Sequence, residues 1–295
     1  MPPITLSGLA LTTYILLLLT VVSLWIRAVP MLWAGLLSAA VLFGYLSGIL
    51  AVVAIVPIAL MAGTCWYYGK LTANDSQRPT LKIVAAIMIL VIASLLALHL
   101  LPGFNNQSLI RNVVLSPLSV PYSQWLNFDK TIAGVLILGL CYRGLITTRQ
   151  EWFEALLRGV PFILINIVIV VVAAFVLGFV RFDPKWTTFF FPWAAINLFF
   201  TCMSEEVLFR GFIQRELQTR LKKFRFGQMA ALVVSAILFG SLHFSGGITY
   251  VLLSTIAGAG YAFIFQRTGR IEMSMLAHFS LNATHFLLLT YPRAI

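Results

Sequence analysis

Charged residues are scarce in this chain: Asp, Glu, Lys and Arg make up 10% of its 295 residues, whereas hydrophobic residues make up 60%. Soluble globular domains carry about 25% charged residues, so the composition excludes an ordinary soluble domain. Apolar stretches of about 20 residues, the length that a helix needs to cross a bilayer, recur along the whole chain. The sequence therefore predicts an all-α fold, a polytopic helical membrane protein with about nine or ten transmembrane helices.

The predicted spans follow one another along the chain, with one long non-membrane stretch at 102–130. Gly44, Ser47 and Gly48 separate the second span from the third. The spans are 8–26, 30–47, 49–68, 82–101, 131–147, 160–180, 187–210, 228–244, 248–266 and 272–290.

The sequence also lacks several motifs of well-known enzyme classes. Cys65, Cys141 and Cys202 are isolated within apolar spans, so they form no metal-binding or redox spacing. No His-Glu-x-x-His sequence is present, which excludes ordinary zincin chemistry, and no Gly-x-Ser-x-Gly sequence provides a serine nucleophile.

The net charge of +11 does not indicate nucleic acid binding, because the placement of the basic residues explains it. If the segment 70–82 is cytoplasmic, most Lys and Arg residues fall on the same side, as the positive-inside rule predicts. The basic residues on the other side are Arg111, Lys130, Arg181, Lys185 and Arg293. We therefore expect the lipid bilayer, and no nucleic acid, as a partner.

Three charged residues, Glu205, Glu206 and Arg210, interrupt an apolar span. Each such charge at a bilayer midplane costs about 2.5–3.5 kcal/mol on insertion scales, so the sequence predicts a use for them. Residues four apart share a helical face, so Glu206 is expected to pair with Arg210 while Glu205 points about 100° away. This arrangement predicts that Glu205 is left free to act as a general base.

A histidine follows on the next span. The basic turn near Phe224 is equally distant along the chain from Glu205 and from His243. At 1.5 Å rise per residue both lie about 28 Å from the turn, so a carboxylate and an imidazole are expected at one depth on antiparallel helices.

The last predicted span carries a second polar pair, His278 and Asn282, on one helical face. An imidazole and a carboxamide on one face are suitable donors for a developing oxyanion. His285 follows three residues later and is equally well explained as a packing residue. Activation of a water by Glu205 with His243 is the simplest reaction. A zinc ion held by His and Glu ligands is an open alternative, because three such ligands and a water satisfy zinc.

These motifs resemble those of the CPBP family, the CAAX prenyl endopeptidase and bacteriocin-processing group that is also called Abi. Its motifs are Glu-Glu-x-x-x-Arg, Phe-x-x-x-His and His-x-x-x-Asn, in this order on successive helices. Here they are Glu205–Arg210, Phe239–His243 and His278–Asn282. The resemblance is specific over 204–282 and extends over 130–290.

The resemblance implies an intramembrane endopeptidase, of glutamate or metalloprotease type, that cleaves a membrane-associated, lipidated or exported protein or peptide. It assigns six residues to three roles, namely water activation by Glu205 and His243, oxyanion stabilisation by His278 and Asn282, and support by Glu206 and Arg210.

The long non-membrane stretch 102–130 divides the chain. Residues 1–101 are expected to form an accessory transmembrane region of about four helices, 102–130 a loop, and 131–295 the protease core. A bacterial inner membrane is the expected location, from the distribution of the family.

Two other functions compete with proteolysis. A non-catalytic membrane scaffold or immunity protein of the same family would use the buried polar cluster for structure alone. A proton-coupled transporter also needs intramembrane carboxylates and histidines, but transporters often show matched halves. The ionisable residues within the predicted spans are concentrated in the last third of this chain, which disfavours the transporter.

Overall fold

The computed structural model describes residues 6–26, 28–73 and 78–295, so the segment 70–82 used to orient the chain lies partly outside the described residues. Each predicted span coincides with a helical segment. The helices before the middle of the chain are α1 (Gly8–Ser23), α2 (Leu32–Leu46), α3 (Ile55–Ala73) and α4 (Pro79–Ala97).

The break between α2 and α3 lies where the sequence predicted it. Gly48 has a φ of 75°, in the left-handed region that glycine adopts without a steric penalty. This conformation ends α2 and lets Ile49 and Leu50 enter the core, where both are buried.

The segment predicted as a loop contains a two-stranded sheet, formed by β1 (Gln107–Val113) and β2 (Tyr122–Leu126). This sheet was not predicted from the sequence. The two buried residues of β1, Leu109 and Ile110, are neighbours in the sequence. The alternation of apolar and polar residues that marks a strand is therefore missing.

Five further helices follow: α5 (Phe128–Leu140), α6 (Arg149–Val176), and then, after the segment with the acidic pair, α10 (Gly227–Ser241), α11 (Ile248–Thr268) and α12 (Ile271–Leu288). The prediction of a membrane-spanning helix at 131–147 is wrong in length, because α5 has 13 residues and a crossing needs about 20. α6 begins earlier than predicted, since Thr148 and Glu151 form a capping box at its start.

The acidic pair lies in a continuous run of helix from Phe190 to Arg220. Its parts are α7 (Phe190–Ile196), a π-helical segment (Asn197–Cys202), α8 (Met203–Glu206), a second π-helical segment (Val207–Gln214) and α9 (Arg215–Arg220). π-Helical turns are rare and occur frequently at functional sites. The second π-helical segment begins directly after Glu206 and contains Arg210. The α-helical angle used to pair the two residues therefore does not apply, and that pairing stays a prediction.

The described residues form two compact units. Unit 1 consists of Met1–Ile110, Gln124–Arg143 and Phe199–Leu208. Unit 2 consists of Arg111–Ser123, Gly144–Leu198 and Phe209–Ile295. The domain boundaries expected at 101 and 130 stay a prediction.

Each unit is built around one helix. In unit 1, α5 packs against α1, α3, α4 and α8, and nearly all of its residues are buried. An apolar helix that is buried on every side needs no polar stripe, which explains its uniform composition. In unit 2, α11 packs against α6, α10 and α12.

Among the described residues, four helical segments are long and apolar enough to cross a membrane: Val52–Ala73, Pro79–Ala97, Arg149–Val176 and Ile248–Thr268. Three shorter apolar helices are α1, α2 and α10. α6 exposes Leu164, Val168 and Val172 along one stripe, a surface that suits lipid and not water. The prediction of a helical membrane protein is confirmed, and the number of crossings stays a prediction.

Candidate active site

A cavity of about 80 Å³ in unit 2 contains most of the polar side chains that the sequence singled out. A site of this size holds several water molecules, since one needs about 10–15 Å³ measured in this way. The remaining lining is apolar and comes from α6, α11, α12 and neighbouring segments. The polar and ring-bearing lining residues are Phe179, Phe239, His243, Tyr250, Ser254, Tyr261, His278, Asn282 and His285.

His243 lies just after the end of α10, where its imidazole reaches the cavity. Its Nδ1 is 2.9 Å from the carbonyl oxygen of Phe239, one turn earlier. A carbonyl only accepts a hydrogen bond, so Nδ1 carries the proton and Nε2 is the basic nitrogen. The ring also packs edge-on against Tyr250 at a centroid distance of 5.2 Å. The Phe-x-x-x-His motif thereby fixes both the orientation and the tautomer of His243.

His278 is held by aromatic contacts on α12. Its ring stacks on Tyr261 of α11 at 4.8 Å and an angle of 17°, and the edge of Phe239 approaches it at 5.6 Å. Only 5% of His278 is exposed. The helix therefore presents a rigid imidazole to the cavity.

Asn282 lies one turn after His278 and also lines the cavity. Its Nδ2 donates to Oδ1 of Asn197, which is buried at the start of the first π-helical segment, over 3.1 Å. This hydrogen bond orients the carboxamide. The expected shared face of His278 and Asn282 is therefore present in the structure.

His285 also lines the cavity, but its hydrogen bond is structural. Its Nε2 lies 3.1 Å from the carbonyl oxygen of Thr290, so that nitrogen must donate. The ring packs against Tyr291 at 4.8 Å. This contact ties the end of α12 to the residues after it and supports the packing interpretation.

Arg210 is completely buried in unit 2. Its Nη2 donates to the carbonyl oxygen of Gly258 over 2.8 Å. Its guanidinium lies 4.5 Å from the ring centre of Phe239 and 5.4 Å from that of Tyr261, within cation–π distance. These two rings are the ones that pack against the histidines of the cavity, so Arg210 supports the site through its aromatic walls.

Glu205 and Glu206 belong to unit 1, and Glu206 is fully buried. The prediction that Glu205 is left free is wrong, because its Oε1 accepts a hydrogen bond from the ammonium of Lys130. The sequence analysis placed Lys130 in a connecting loop, whereas the structure places it in the first turn of α5. A lysine side chain at the start of a helix is long enough to reach a neighbouring helix. The spacing of residues in the sequence does not show which residue it contacts there.

A bound metal ion needs several donor side chains that lie close together. Within 6–26, 28–73 and 78–295, no group of three or more His, Cys, Asp or Glu side chains could hold a metal ion. The glutamate-type and metalloprotease alternatives both stay predictions.

Sequence reasoning missed three residues that hold the site residues in place. Lys130 stands next to Asp129 at the start of an apolar span, and Asn197 is an isolated amide in an apolar run; both were visible signals. Tyr261 carried no signal, because an aromatic residue in an apolar helix is ordinary.

The small residues of α11 are close to its neighbours, as the run Ala257–Gly260 predicts. A methyl group on Gly258 would lie 2.9 Å from Cδ1 of Phe239 and 3.1 Å from Nη2 of Arg210. We expect Gly258→Ala to lower the free energy of unfolding by about 1–3 kcal/mol through overpacking. The measurement is denaturant unfolding of the purified protein in detergent.

Gly63→Ala is the matched control, because Gly63 is also inside a helix and a methyl group there would meet no atom within 4 Å. It is expected to leave stability unchanged or to raise it by about 0.5–1 kcal/mol, the helix propensity difference. Equal stability of the two variants would contradict the close approach of α11 to Phe239 and Arg210.

Comparison with known proteins gives one match. The family described as type II CAAX prenyl endopeptidase Rce1-like matches residues 186–284, which contain all three motifs. No curated protein and no solved structure matches the chain. The resemblance found in the motifs is confirmed over this region.

Proposed function

Because residues 186–284 carry a domain of the Rce1-like type II CAAX prenyl endopeptidases, we propose that this chain is an intramembrane endopeptidase that hydrolyses a peptide bond through an activated water. The matched family is a protease family, and its members imply a peptide or protein substrate in the membrane. The substrate class that we propose is a membrane-associated, lipidated or exported protein or peptide. The chain is an integral membrane protein, and its proposed location is a bacterial inner membrane.

One observation carries the proposal: His243, His278 and Asn282 line the same cavity, from two different helical segments. A water-sized space bordered by a basic nitrogen and by two groups able to donate hydrogen bonds suits hydrolysis of an amide. The apolar remainder of the lining suits a substrate that comes from the membrane.

The proposed reaction begins with the activation of a water by Glu205 with His243, the two roles that the motif resemblance implies. Glu205, assisted by His243, removes a proton from this water, and the resulting hydroxide attacks the carbonyl carbon of the substrate. Nε2 of His243 can accept a proton, because Nδ1 carries its own proton toward Phe239. The role of Glu205 comes from the motif resemblance.

The negative charge then develops on the former carbonyl oxygen. His278 and Asn282 are the proposed donors to this oxyanion, and donors held in place before the reaction are the most effective ones. Tyr261 fixes His278, and Asn197 fixes Asn282. The carbon–nitrogen bond breaks when the leaving amine takes the proton that the base removed, which restores the enzyme. Glu206 and Arg210 support this geometry.

The test is a profile of protein termini from cells that carry the wild-type chain or Glu205→Gln at equal abundance. We expect a set of termini to disappear in Glu205→Gln, because an amide cannot accept the proton of the water. The same profile identifies the substrate and the cleaved bond. Glu154→Gln is the matched control, because Glu154 is exposed and contacts Gln150 of its own helix.

Identical profiles of wild type and Glu205→Gln across growth conditions would contradict proteolysis and favour the scaffold or immunity protein. Loss of the same termini in Glu154→Gln would show that the effect is not specific to the proposed base.

A further inference from the structure

The proposed base has a basic neighbour that no motif contains. Lys130, in the first turn of α5, donates a hydrogen bond from its ammonium to Oε1 of Glu205. The side chains are 15% and 13% exposed, so the pair is largely withdrawn from solvent. Both residues belong to unit 1.

A polar cluster fixes the helix start from which Lys130 extends. Oδ1 of Asp129 accepts hydrogen bonds from the backbone N–H of Lys130 over 2.8 Å and from Nδ2 of Asn106 over 2.9 Å. The other oxygen of Asp129 lies 2.8 Å from Nδ1 of His99. Oδ1 of Asn106 accepts from the N–H of Phe128 over 2.8 Å. These hydrogen bonds therefore fix the first turn of α5 at several points, and they fix the position of the Lys130 backbone as well.

The helix that carries Glu205 is equally constrained. Gly134 lies one turn after Lys130 on the same face of α5. A methyl group on Gly134 would be 2.8 Å from Cα of Ser204, the residue before Glu205. The two backbones touch at this point, so the distance between Lys130 and Glu205 is set by closely packed helices.

Ion pairing for stability alone does not account for this arrangement. Removing two charges from water costs several kcal/mol per ion, and well-packed apolar residues are often as stabilising as a buried pair. A lysine aimed at one oxygen of a carboxylate does, however, restrict the rotation of that carboxylate. Productive geometry has to be held within about 0.5 Å, and residues around the reacting groups provide this.

We propose that Lys130 is a positioning residue for Glu205: its ammonium holds Oε1, and so orients the carboxylate toward the water that it activates. This inference rests on the proposed function, since it assigns a role to the partner of the proposed base. Lys130 does not touch the substrate, and its loss therefore changes the rate of the chemical step and not the binding of substrate.

The test uses the full chain in lipid nanodiscs and a quenched-fluorescence peptide that copies the cleavage site found in the terminal profile. We expect Lys130→Met to lower kcat per folded molecule at least about ten-fold with KM unchanged, comparable to the loss of about 10–100-fold that follows removal of a residue that orients a metal ligand. Lys130→Arg keeps the positive charge and is expected to recover most of the rate. Lys130→Gln is measured alongside, because it keeps a donor for Glu205 and so helps to preserve the fold.

Lys185→Met is the matched control. Lys185 is also a largely buried lysine, and it pairs with Asp183 in unit 2. It is expected to keep the wild-type kcat. In a Glu205→Gln background, Lys130→Met is expected to change the residual rate by less than about two-fold, because the two residues act as one unit.

The outcomes distinguish a failure of the role of Lys130 from a failure of the proposed function. A wild-type kcat in folded Lys130→Met and Lys130→Gln, with Glu205→Gln inactive, would overturn the role of Lys130 alone. An equal loss in Lys185→Met would overturn it as well, by showing that any lost lysine has this effect. A wild-type rate in Glu205→Gln would overturn the proposed function and, with it, this role.

Discussion

His243→Ala is expected to lower kcat by a factor of about 10²–10⁴, the range that a general acid–base group contributes. The reason is geometric: the bond from Nδ1 to the carbonyl of Phe239 leaves Nε2 as the nitrogen that accepts a proton. The fold should persist, because His243 is only partly buried and its loss removes two ring contacts, with Phe239 and Tyr250. The measurement is cleavage of the same fluorescent peptide, with the thermal melting of each variant recorded in parallel.

Added imidazole provides a second readout for this variant. A small base that enters the space left by the side chain should restore part of the rate in His243→Ala, and it should leave the wild type unchanged. Ser241→Ala is the control, since the Ser241 hydroxyl at the same end of α10 donates only to the carbonyl of Ile237, within its own helix. Full activity of His243→Ala would remove His243 from the proposed mechanism.

Arg210→Met is expected to reduce the free energy of unfolding by about 3 kcal/mol. Arg210 is 0% exposed, and its removal leaves the buried carbonyl of Gly258 without this donor. It also removes the cation that lies near the rings of Phe239 and Tyr261, an attraction of about 0.5–2 kcal/mol at a desolvated site. The methionine is apolar and flexible, so it fills part of the space but replaces neither interaction.

Arg210→Lys is expected to lose most of the same stability, because an ammonium lacks the planar fork that donates and stacks at once. Denaturant unfolding in detergent measures both variants. Arg220→Met is the control: Arg220 pairs with Glu216 in an exposed, one-turn ion pair, worth about 0.3–0.5 kcal/mol. Wild-type stability of Arg210→Met, or full rescue by lysine, would contradict the buried role of this guanidinium.

The two parts of the proposed site differed in how far the sequence could predict them. His278 and Asn282 lie four residues apart on one regular helix, so their common face followed from helical geometry, and both line the cavity. The angle between Glu205, Glu206 and Arg210 did not follow in this way, because the chain is π-helical from Val207 to Gln214. A π-helical segment changes the backbone hydrogen-bond pattern locally, and the order of residues in an apolar run does not reveal this change.

The sequence also could not predict which residues from distant parts of the chain would contact the motif residues. Lys130 meets Glu205 across 75 positions, and Asn282 meets Asn197 across 85. Each of these residues was visible as a polar residue at or within an apolar run, but nothing in the spacing indicated which one it would contact. Only the packing of α5 against α8 and of α12 beside the first π-helical segment brings them together.

The sequence by itself determined the membrane environment, the approximate positions of the helices and the motifs to which the proposed chemistry is assigned. Each of these depends on local composition: apolar runs of spanning length exclude water, and a period near 3.6 assigns neighbouring residues to a face. Only the tertiary structure decided that three polar side chains share one cavity, that Arg210 supports its aromatic walls, and that Glu205 is paired with a lysine. Those outcomes depend on which helices touch and at what level, and close packing sets this through small residues such as Gly134 and Gly258, whose effect depends on what lies opposite them.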